Sequence, residues 1–176
     1  MEDLVKKAIT AGAYRAGMME VKKIKFDAGL RAYCEANACG HYNRNHMCPP
    51  AIGTKEETIR QAQQYRFALI FQTVSELEDS FDVEGMQEAL KKHDEVALRI
   101  ERAVREQGKP YLQLTAGGCH VCPHCAKTED KPCRFPKKAI SSLEAYCINV
   151  ATLAADCGMN YINGQNTVTY FGGFFF

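Results

Sequence analysis

The sequence predicts an α+β fold, mixed α/β in character, with a sheet of about five strands covered by about three or four helices. Residues 66–73 form a short, apolar, β-rich run typical of a central strand. Residues 83–107 repeat apolar side chains with the period of a long helix. Two cysteine-rich segments without a period are expected to be metal-binding loops that meet at one edge or end of the sheet. They are the first cysteine loop, residues 34–53, and the second cysteine loop, residues 117–136.

Local patterns assign the remaining elements. Helical periods and capping signals predict helices over residues 2–17, 27–34, about 55–65 and 141–156. Two of these helices begin at capping boxes, Thr54–Glu57 and Ser141–Glu144. Alternating or apolar runs predict strands at 21–26 and 111–115, and a terminal hairpin in which 159–162 and 167–176 flank a turn.

Length and charge limit the classes of function. The chain of 176 residues fits a single iron-sulfur or metal-binding domain, 1–176, because no linker, repeat or low-complexity tract divides it. Its 22 basic and 21 acidic side chains leave a net charge near zero. Nucleic acids and anionic membrane surfaces bind proteins that carry an excess of basic side chains. We therefore expect no nucleic-acid partner and no membrane partner.

The cysteine content indicates the redox compartment. Nine cysteines among 176 residues are an odd count and a share below the roughly 8–10% of small secreted disulfide scaffolds. The first residues lack an apolar run of secretory length, and no later stretch approaches the roughly 18 apolar residues of a membrane span. We therefore expect a cytoplasmic protein with reduced thiols, in which clustered cysteines hold metal or do redox work.

The second cysteine loop has the spacing of an iron-sulfur site. Three cysteines follow one another at steps of three residues, and a fourth comes after seven more: Cys119, Cys122, Cys125 and Cys133. A curled loop with this spacing can direct its thiolates at one cluster, as the Cys-x2-Cys-x2-Cys-x3-Cys-Pro run of bacterial ferredoxins does. The last gap is longer than in that run, so the spacing supports a [4Fe-4S] cluster but not the ferredoxin fold.

Zinc is the strongest alternative for these four cysteines, because it also binds four thiolates in a tetrahedron. Structural zinc sites usually draw on two separated Cys-x2-Cys pairs, whereas three of these cysteines fall within one seven-residue run. Such a triple suits the corner irons of a cubane cluster better than one small ion. Scattered structural thiols and a thioredoxin-like dithiol explain the pattern less well, since a third cysteine in register has no role in a dithiol.

The first cysteine loop holds a looser set, Cys34, Cys39 and Cys48. Cys48-Pro49 resembles the Cys-Pro that ends the ferredoxin run. Two interpretations of the three thiolates stay open. Either a fourth ligand comes from elsewhere, or one iron stays open to water or substrate and acts as a Lewis acid. The candidates for the fourth ligand are Cys133, Cys147, His41 and His46.

Other side chains have structural interpretations. Cys147 and Cys157 have helical core spacing, and a buried free cysteine packs as a small hydrophobe. His93 lies on the apolar stripe of the long helix, so we expect a packing or surface histidine. Basic side chains surround both loops: Arg44, Lys127, Lys131, Arg134, Lys137 and Lys138. They are either a solvated surface or a docking site for an acidic redox partner, where they also raise the reduction potential.

Both motifs resemble one known family. The first motif is Cys34-x4-Cys39-Gly40-x-Tyr42-x5-Cys48-Pro-Pro-Ala-x-Gly53-Thr54-x-Glu56-Glu57. The second is Cys119-x2-Cys122-x2-Cys125-x6-Pro132-Cys133-Arg134-x-Pro136, followed by Ser142-Leu-Glu144-Ala145. Together they resemble the predicted metal-binding proteins called domain of unknown function 2284, found mainly in anaerobic bacteria and archaea. The resemblance covers nearly the whole chain and implies metal binding, iron-sulfur in kind, by both cysteine sets. Family members often have glycine at the position of Cys147, which favours its packing interpretation.

The leading hypothesis is a cytoplasmic iron-sulfur protein of anaerobic metabolism that carries one or two [4Fe-4S] clusters and transfers electrons to a redox partner protein. One alternative is an enzyme whose three-cysteine cluster keeps an open iron to activate a small-molecule substrate. Another is a zinc-stabilised interaction module. The sequence assigns no catalytic residue, because it contains no phosphate loop, nucleotide fingerprint or recognisable Ser/His/Asp context.

Overall fold

A five-stranded sheet forms the centre of the computed structural model, which describes residues 2–176. The strands are β1 (Arg15–Glu20), β2 (Phe67–Glu76), β3 (Leu112–Thr115), β4 (Ser141–Ser142) and β5 (Thr167–Phe175). Their order across the sheet is β1-β2-β5-β3-β4. Neighbouring strands are antiparallel except β3 and β4, which are parallel. The mixed sheet and its helices confirm the α+β class.

Helices cover both faces of the sheet. They are α1 (Glu2–Thr10), α2 (Arg31–Glu35), α3 (Lys55–Gln63), α4 (Val83–Arg105) and α5 (Val150–Asp156). No helix in the described part of the chain is long and apolar enough to cross a membrane.

The residues of β2 alternate between two cores. Ala68 and Ile70 face a core shared with α3 and α5, whereas Leu69 and Phe71 face α1 and α4. All four are fully buried. Each large apolar side chain buried in this way contributes about 1.5–3 kcal/mol. The run predicted as a central strand is therefore an interior strand with two covered faces, although β5 occupies the middle of the sheet.

Several local predictions are confirmed by hydrogen bonds. Thr54 Oγ1 accepts from the Glu57 amide at 3.2 Å, and Glu57 Oε2 accepts from the Thr54 amide at 2.7 Å, so the first capping box opens α3. The Asp27 carboxylate accepts from the Gly29 amide at 2.8 Å and starts the helical turn that leads into α2.

The predicted helix over 2–17 and strand over 21–26 are wrong in their bounds. The helix ends at Thr10, and Gly12 adopts φ +110° in the turn that follows. The edge strand is β1, because residues 15–20 pair with β2. Residues 21–23 form a 3-10 turn, and Phe26 makes an isolated bridge to Ile148. The alternation over 21–26 thus reflects burial of Val21 and Ile24 without a ladder of strand pairs.

The predicted helix over 141–156 is also wrong in its first half. Ser141 and Ser142 pair with β3, and a 3-10 turn over Glu144–Tyr146 follows. Helix α5 begins only after Asn149, whose side chain accepts from the Thr152 amide at 3.1 Å. Strand pairing with β3 overrides the local capping pattern at Ser141.

The predicted terminal hairpin does not form. Residues 167–175 make one long strand, β5, which pairs with β2 on one side and β3 on the other. Residues 159–162 lie outside the strands of the sheet. The two partners of β5 are distant in sequence, so a local turn signal at 163–166 did not identify them.

The parallel pairing of β3 and β4 positions the second cysteine loop. Parallel neighbours cannot be joined by a tight turn and need a longer crossover connection. Here residues 116–140 form that crossover, and they contain the second cysteine loop. The first cysteine loop begins inside α2 and ends at the start of α3.

Candidate metal site

Local hydrogen bonds curl the second cysteine loop. The Thr128 hydroxyl donates to the Cys125 carbonyl at 2.8 Å, and Asp130 adopts φ +52° at the end of the 3-10 turn over Ala126–Glu129. Arg134 then donates from Nη1 to the His124 carbonyl at 2.9 Å. These contacts bring the segment around Cys133 back toward the three earlier cysteines.

The four cysteines of the second loop share one cavity. The cavity is small, with a volume of about 20 Å³, roughly the room of one water molecule, and its wall includes Cys119, Cys122, Cys125 and Cys133. All four are free and partly buried. Apolar side chains complete much of the wall, namely Val121, Ala126, Phe135 and Ala139. The sequence-predicted set is therefore brought together around a common space.

The first cysteine loop docks directly on the second. Asn45, which is buried, donates from Nδ2 to the Cys119 carbonyl at 3.2 Å. The His46 amide donates to Cys125 Sγ at 3.4 Å, and His46 Nε2 donates to the Lys131 carbonyl at 2.8 Å. The Ser141 hydroxyl of β4 donates to the Met47 carbonyl at 2.7 Å. The two cysteine loops thus meet beside β4, as expected.

Cys48 lies between the two cysteine sets. Burial, together with neighbouring thiols of both loops, raises its pKa to about 12. A Cβ placed on Gly118 of the second loop would lie 3.6 Å from Cys48 Sγ. Burial also raises the pKa of Cys34, with the Arg31 guanidinium opposing it and Cys39 adding to it. Both thiols therefore keep their protons near neutral pH, and a metal would have to displace these protons in order to bind.

Arg31 is a structural residue of the site that sequence reasoning missed. It is buried, and its guanidinium donates to the Gly53 carbonyl at 3.1 Å, Thr58 Oγ1 at 3.1 Å and the Ala145 carbonyl at 2.9 Å. These bonds join α2, the end of the first cysteine loop and the turn after β4. No local pattern marks Arg31, or Asn45 among the turn formers of its loop, because their partners are distant in sequence.

The second-loop thiols line a common space without closing on a single point. No three His, Cys, Asp or Glu side chains within residues 2–176 are grouped closely enough to hold a metal ion. Four thiolates on one zinc ion lie about 3.8 Å apart, given a Zn–S distance of about 2.3 Å in a tetrahedron. The second-loop cysteines instead surround a shared space.

Cys147 and Cys157 do not share a helix face, contrary to the prediction. Cys147 precedes α5 and is fully buried with φ +59°, a backbone conformation that favours glycine. Cys157 follows α5, packs against Met19 and is partly buried, and burial raises its pKa to about 11. Cys157 therefore packs as a small hydrophobe in the core on the α3 and α5 side.

His93 is more deeply buried than expected. It is fully enclosed, stacks on Phe71 with 5.1 Å between ring centroids, and its Nδ1 lies 2.9 Å from the Thr73 hydroxyl. Burial lowers the pKa of His93 to about 4. The histidine is a neutral packing residue between α4 and the sheet.

The basic side chains around the loops fall into two groups. Lys127, Lys131 and Arg134 pair with carboxylates of the same loop, at 3.7 Å to Asp130 and at 2.7 and 4.0 Å to Glu129. Lys137 and Lys138 are exposed and form no ion pair with any residue in the 2–176 range. Local pairing therefore neutralises part of the predicted positive patch.

The mixed α+β fold and the two adjoining cysteine loops define the class as a candidate metal-binding protein. The chain belongs to the family DUF2284, described as predicted metal-binding protein, whose family model matches residues 17–176. No curated protein and no solved structure matches the chain.

Proposed function

We propose that the protein is an iron-sulfur electron carrier with a [4Fe-4S] cluster on Cys119, Cys122, Cys125 and Cys133. The observation that carries this proposal is the single cavity lined by all four thiols. A cluster held by four thiolates supplies one-electron redox chemistry. Membership of a predicted metal-binding family supports a metal at this position without naming it.

Residues around the cavity are suited to stabilise a reduced cluster. The His46 amide already donates to Cys125 Sγ, and hydrogen bonds to ligand sulfurs raise the reduction potential. Arg134 lines the cavity and brings a positive charge close to the thiolates. The apolar wall limits water and strengthens both effects, because electrostatic interactions are stronger at low dielectric.

The proposal includes an acidic redox partner protein and a cytoplasmic location. Exposed basic residues without an ion pair among residues 2–176 flank the two loops: Arg44 on the first, and Lys137 and Lys138 just after the second. Complementary charge steers the encounter of redox partners and depends on ionic strength. Reduced thiols in such number are expected where the cell keeps cysteines reduced.

A redox titration of the anaerobically purified protein tests the proposed carrier. We expect visible absorbance that decreases in a one-electron step on reduction. Arg134→Gln should lower the midpoint potential, because it removes a positive charge at the cavity. Arg60→Gln on exposed α3 is the matched control and should leave the potential unchanged. Absence of a reducible chromophore in the wild type would rule the carrier out.

A second candidate function is an enzyme with an open iron at Cys34, Cys39 and Cys48. The proximity of the three thiols favours it, since burial and then the nearby Cys39 and Cys34 thiols raise the pKa of Cys48. A shallow pocket of about 340 Å³, lined by Arg31, Glu35, Tyr42 and Pro49, adjoins the loop without touching the three cysteines. Such a pocket is within the size range of small-molecule sites. Small ligands that reach an open iron should change the paramagnetic spectrum of the reduced protein, whereas a plain carrier should show the same spectrum with every ligand.

A further inference from the structure

A second cavity lies between α4 and the start of the second cysteine loop. It has a volume of about 450 Å³, within the range typical of small-molecule sites. Leu98 of α4, Val121 of the loop and Ile140 before β4 supply apolar wall. Cys119 lines this cavity as well as the cavity of the four cysteines. A molecule bound here would therefore lie against one of the candidate cluster ligands.

The charges around this cavity leave an excess of positive charge. Arg105 pairs with Glu101 at 3.2 Å, and His120 lies 3.6 Å from Asp94. Two further cations, Lys137 and Lys138, line the cavity without an ion-pair partner in the described range. Glu101 offsets the charge of Arg105. With a neutral His120, the charges that remain are those of the two lysines and of the Asp94 carboxylate, so the lining carries a net positive charge. The cavity thus favours an anion.

Thr115 adds an unmet hydrogen-bonding group to the lining. It lies at the end of β3, its side chain is almost fully buried, and its hydroxyl has no hydrogen-bond partner among residues 2–176. A buried hydroxyl without a partner destabilises the folded state, so such groups in native structures usually have a ligand or water partner. Because Thr115 lines the cavity, a polar atom of a bound molecule that reached this hydroxyl would satisfy it.

We propose that this cavity binds a small organic anion. Its carboxylate would pair with Lys137 and Lys138, and its apolar body would pack against Leu98, Val121 and Ile140. Neither interaction requires a particular metal in the neighbouring cavity. The proposal is therefore independent of the iron-sulfur assignment and goes beyond electron transfer.

Ligand-detected NMR on the anaerobically purified protein tests this binding site. The probes are benzoate, phenylacetate and hexanoate, each compared with its neutral amide. We expect at least one carboxylate to bind about threefold or more tightly than its amide, since ion pairs with exposed lysines are screened by solvent and each contributes modestly. Equal binding of every acid and amide, or no binding of any acid, would overturn the proposal whatever the metal content.

Two sets of variants locate the binding. Lys137→Gln/Lys138→Gln should abolish the preference for the acid, whereas Lys22→Gln/Lys23→Gln removes the same charge from an exposed turn and should preserve it. Thr115→Val should weaken binding of the acid about fivefold, the loss of one ordinary hydrogen bond. The same variant should raise the melting temperature of the ligand-free protein, because it removes an unpaired hydroxyl. A preference retained in the Lys137/Lys138 variant would place the anion elsewhere and overturn the assignment.

Discussion

Arg31 links the first cysteine loop to the rest of the fold at the scale of one side chain. Its guanidinium satisfies two backbone carbonyls, those of Gly53 and Ala145, and also bonds Thr58. Gly53 ends the loop that carries Cys48, and Ala145 belongs to the turn after β4. The position of the loop therefore depends on a residue that neither binds metal nor belongs to a cysteine motif.

We predict that Arg31→Met lowers the free energy of unfolding by about 2–4 kcal/mol, because it leaves buried carbonyls without donors. Chemical denaturation monitored by circular dichroism measures the change. Arg60→Met, on the exposed side of α3, is the control and should shift stability by less than about 0.5 kcal/mol. Similar stability for the two variants would show that the Arg31 bonds do not hold the loop.

His93 makes stability depend on pH. Its pKa falls from the ordinary 6.5 to about 4 because of burial, so the unfolded chain binds a proton that the folded chain rejects. The stabilising effect of the neutral ring is complete above pH 6.5. It is lost as the pH falls from 6.5 toward 4, by roughly 3 kcal/mol in total.

We predict that His93→Asn flattens this part of the stability curve. Asparagine retains a hydrogen-bonding group near Thr73 but does not titrate. Wild type and variant are compared by denaturation at several values between pH 4 and 7, and the slope rather than the absolute stability is the readout. The same slope in both proteins would mean that His93 is not the responsible group.

At the scale of elements, the core is tightly packed where β5 passes under α4. A Cβ on Gly172 would stand 2.5 Å from Phe71 Cζ and 3.2 Å from His93 Nε2. Phe71 and His93 are fully buried and stacked, so neither ring has free space to move into. Only glycine fits this register position of β5 without displacing the core.

We predict that Gly172→Ala destabilises the protein by about 1–3 kcal/mol through overpacking. Gly17→Ala in edge strand β1 is the matched control, because a Cβ there would meet Met159 Cε at an ordinary 3.4 Å. Thermal unfolding should show a lower melting temperature for the Gly172 variant alone. Equal melting temperatures would contradict the packing described for this strand.

The sequence predicted elements whose signals are local and missed those set by distant partners. Local sequence signals were sufficient for four elements. A capping box marks α3, a helical period of apolar residues marks α4, and apolar runs mark β2 and β3. By contrast, Ser141 has a capping pattern but pairs with β3. The strand over 167–176 was predicted, but its pairing with β2, almost a hundred residues away in sequence, was not. Such pairing depends on tertiary packing, which propensity does not contain.

At the scale of the whole molecule, the fold joins two loops that are far apart in sequence. The crossover between β3 and β4 carries one cysteine set, and the first loop docks on it through Asn45 and His46. Cysteine spacing alone proposed the two cysteine sets. It did not predict the contacts between the sets, because Asn45, Arg31 and Ser141 have no motif that names their partners.

In the proposed function, Cys119, Cys122, Cys125 and Cys133 together hold one [4Fe-4S] cluster. Quantifying iron, labile sulfide and zinc after oxygen-free purification, in the wild type and in Cys125→Ser, tests it most directly. We predict iron and sulfide in equal amounts, with about four of each lost in the variant. The control Cys157→Ser should keep both, since Cys157 packs in the core away from the cavity. Zinc without iron or sulfide, or a Cys125→Ser protein with undiminished iron, would contradict the claim.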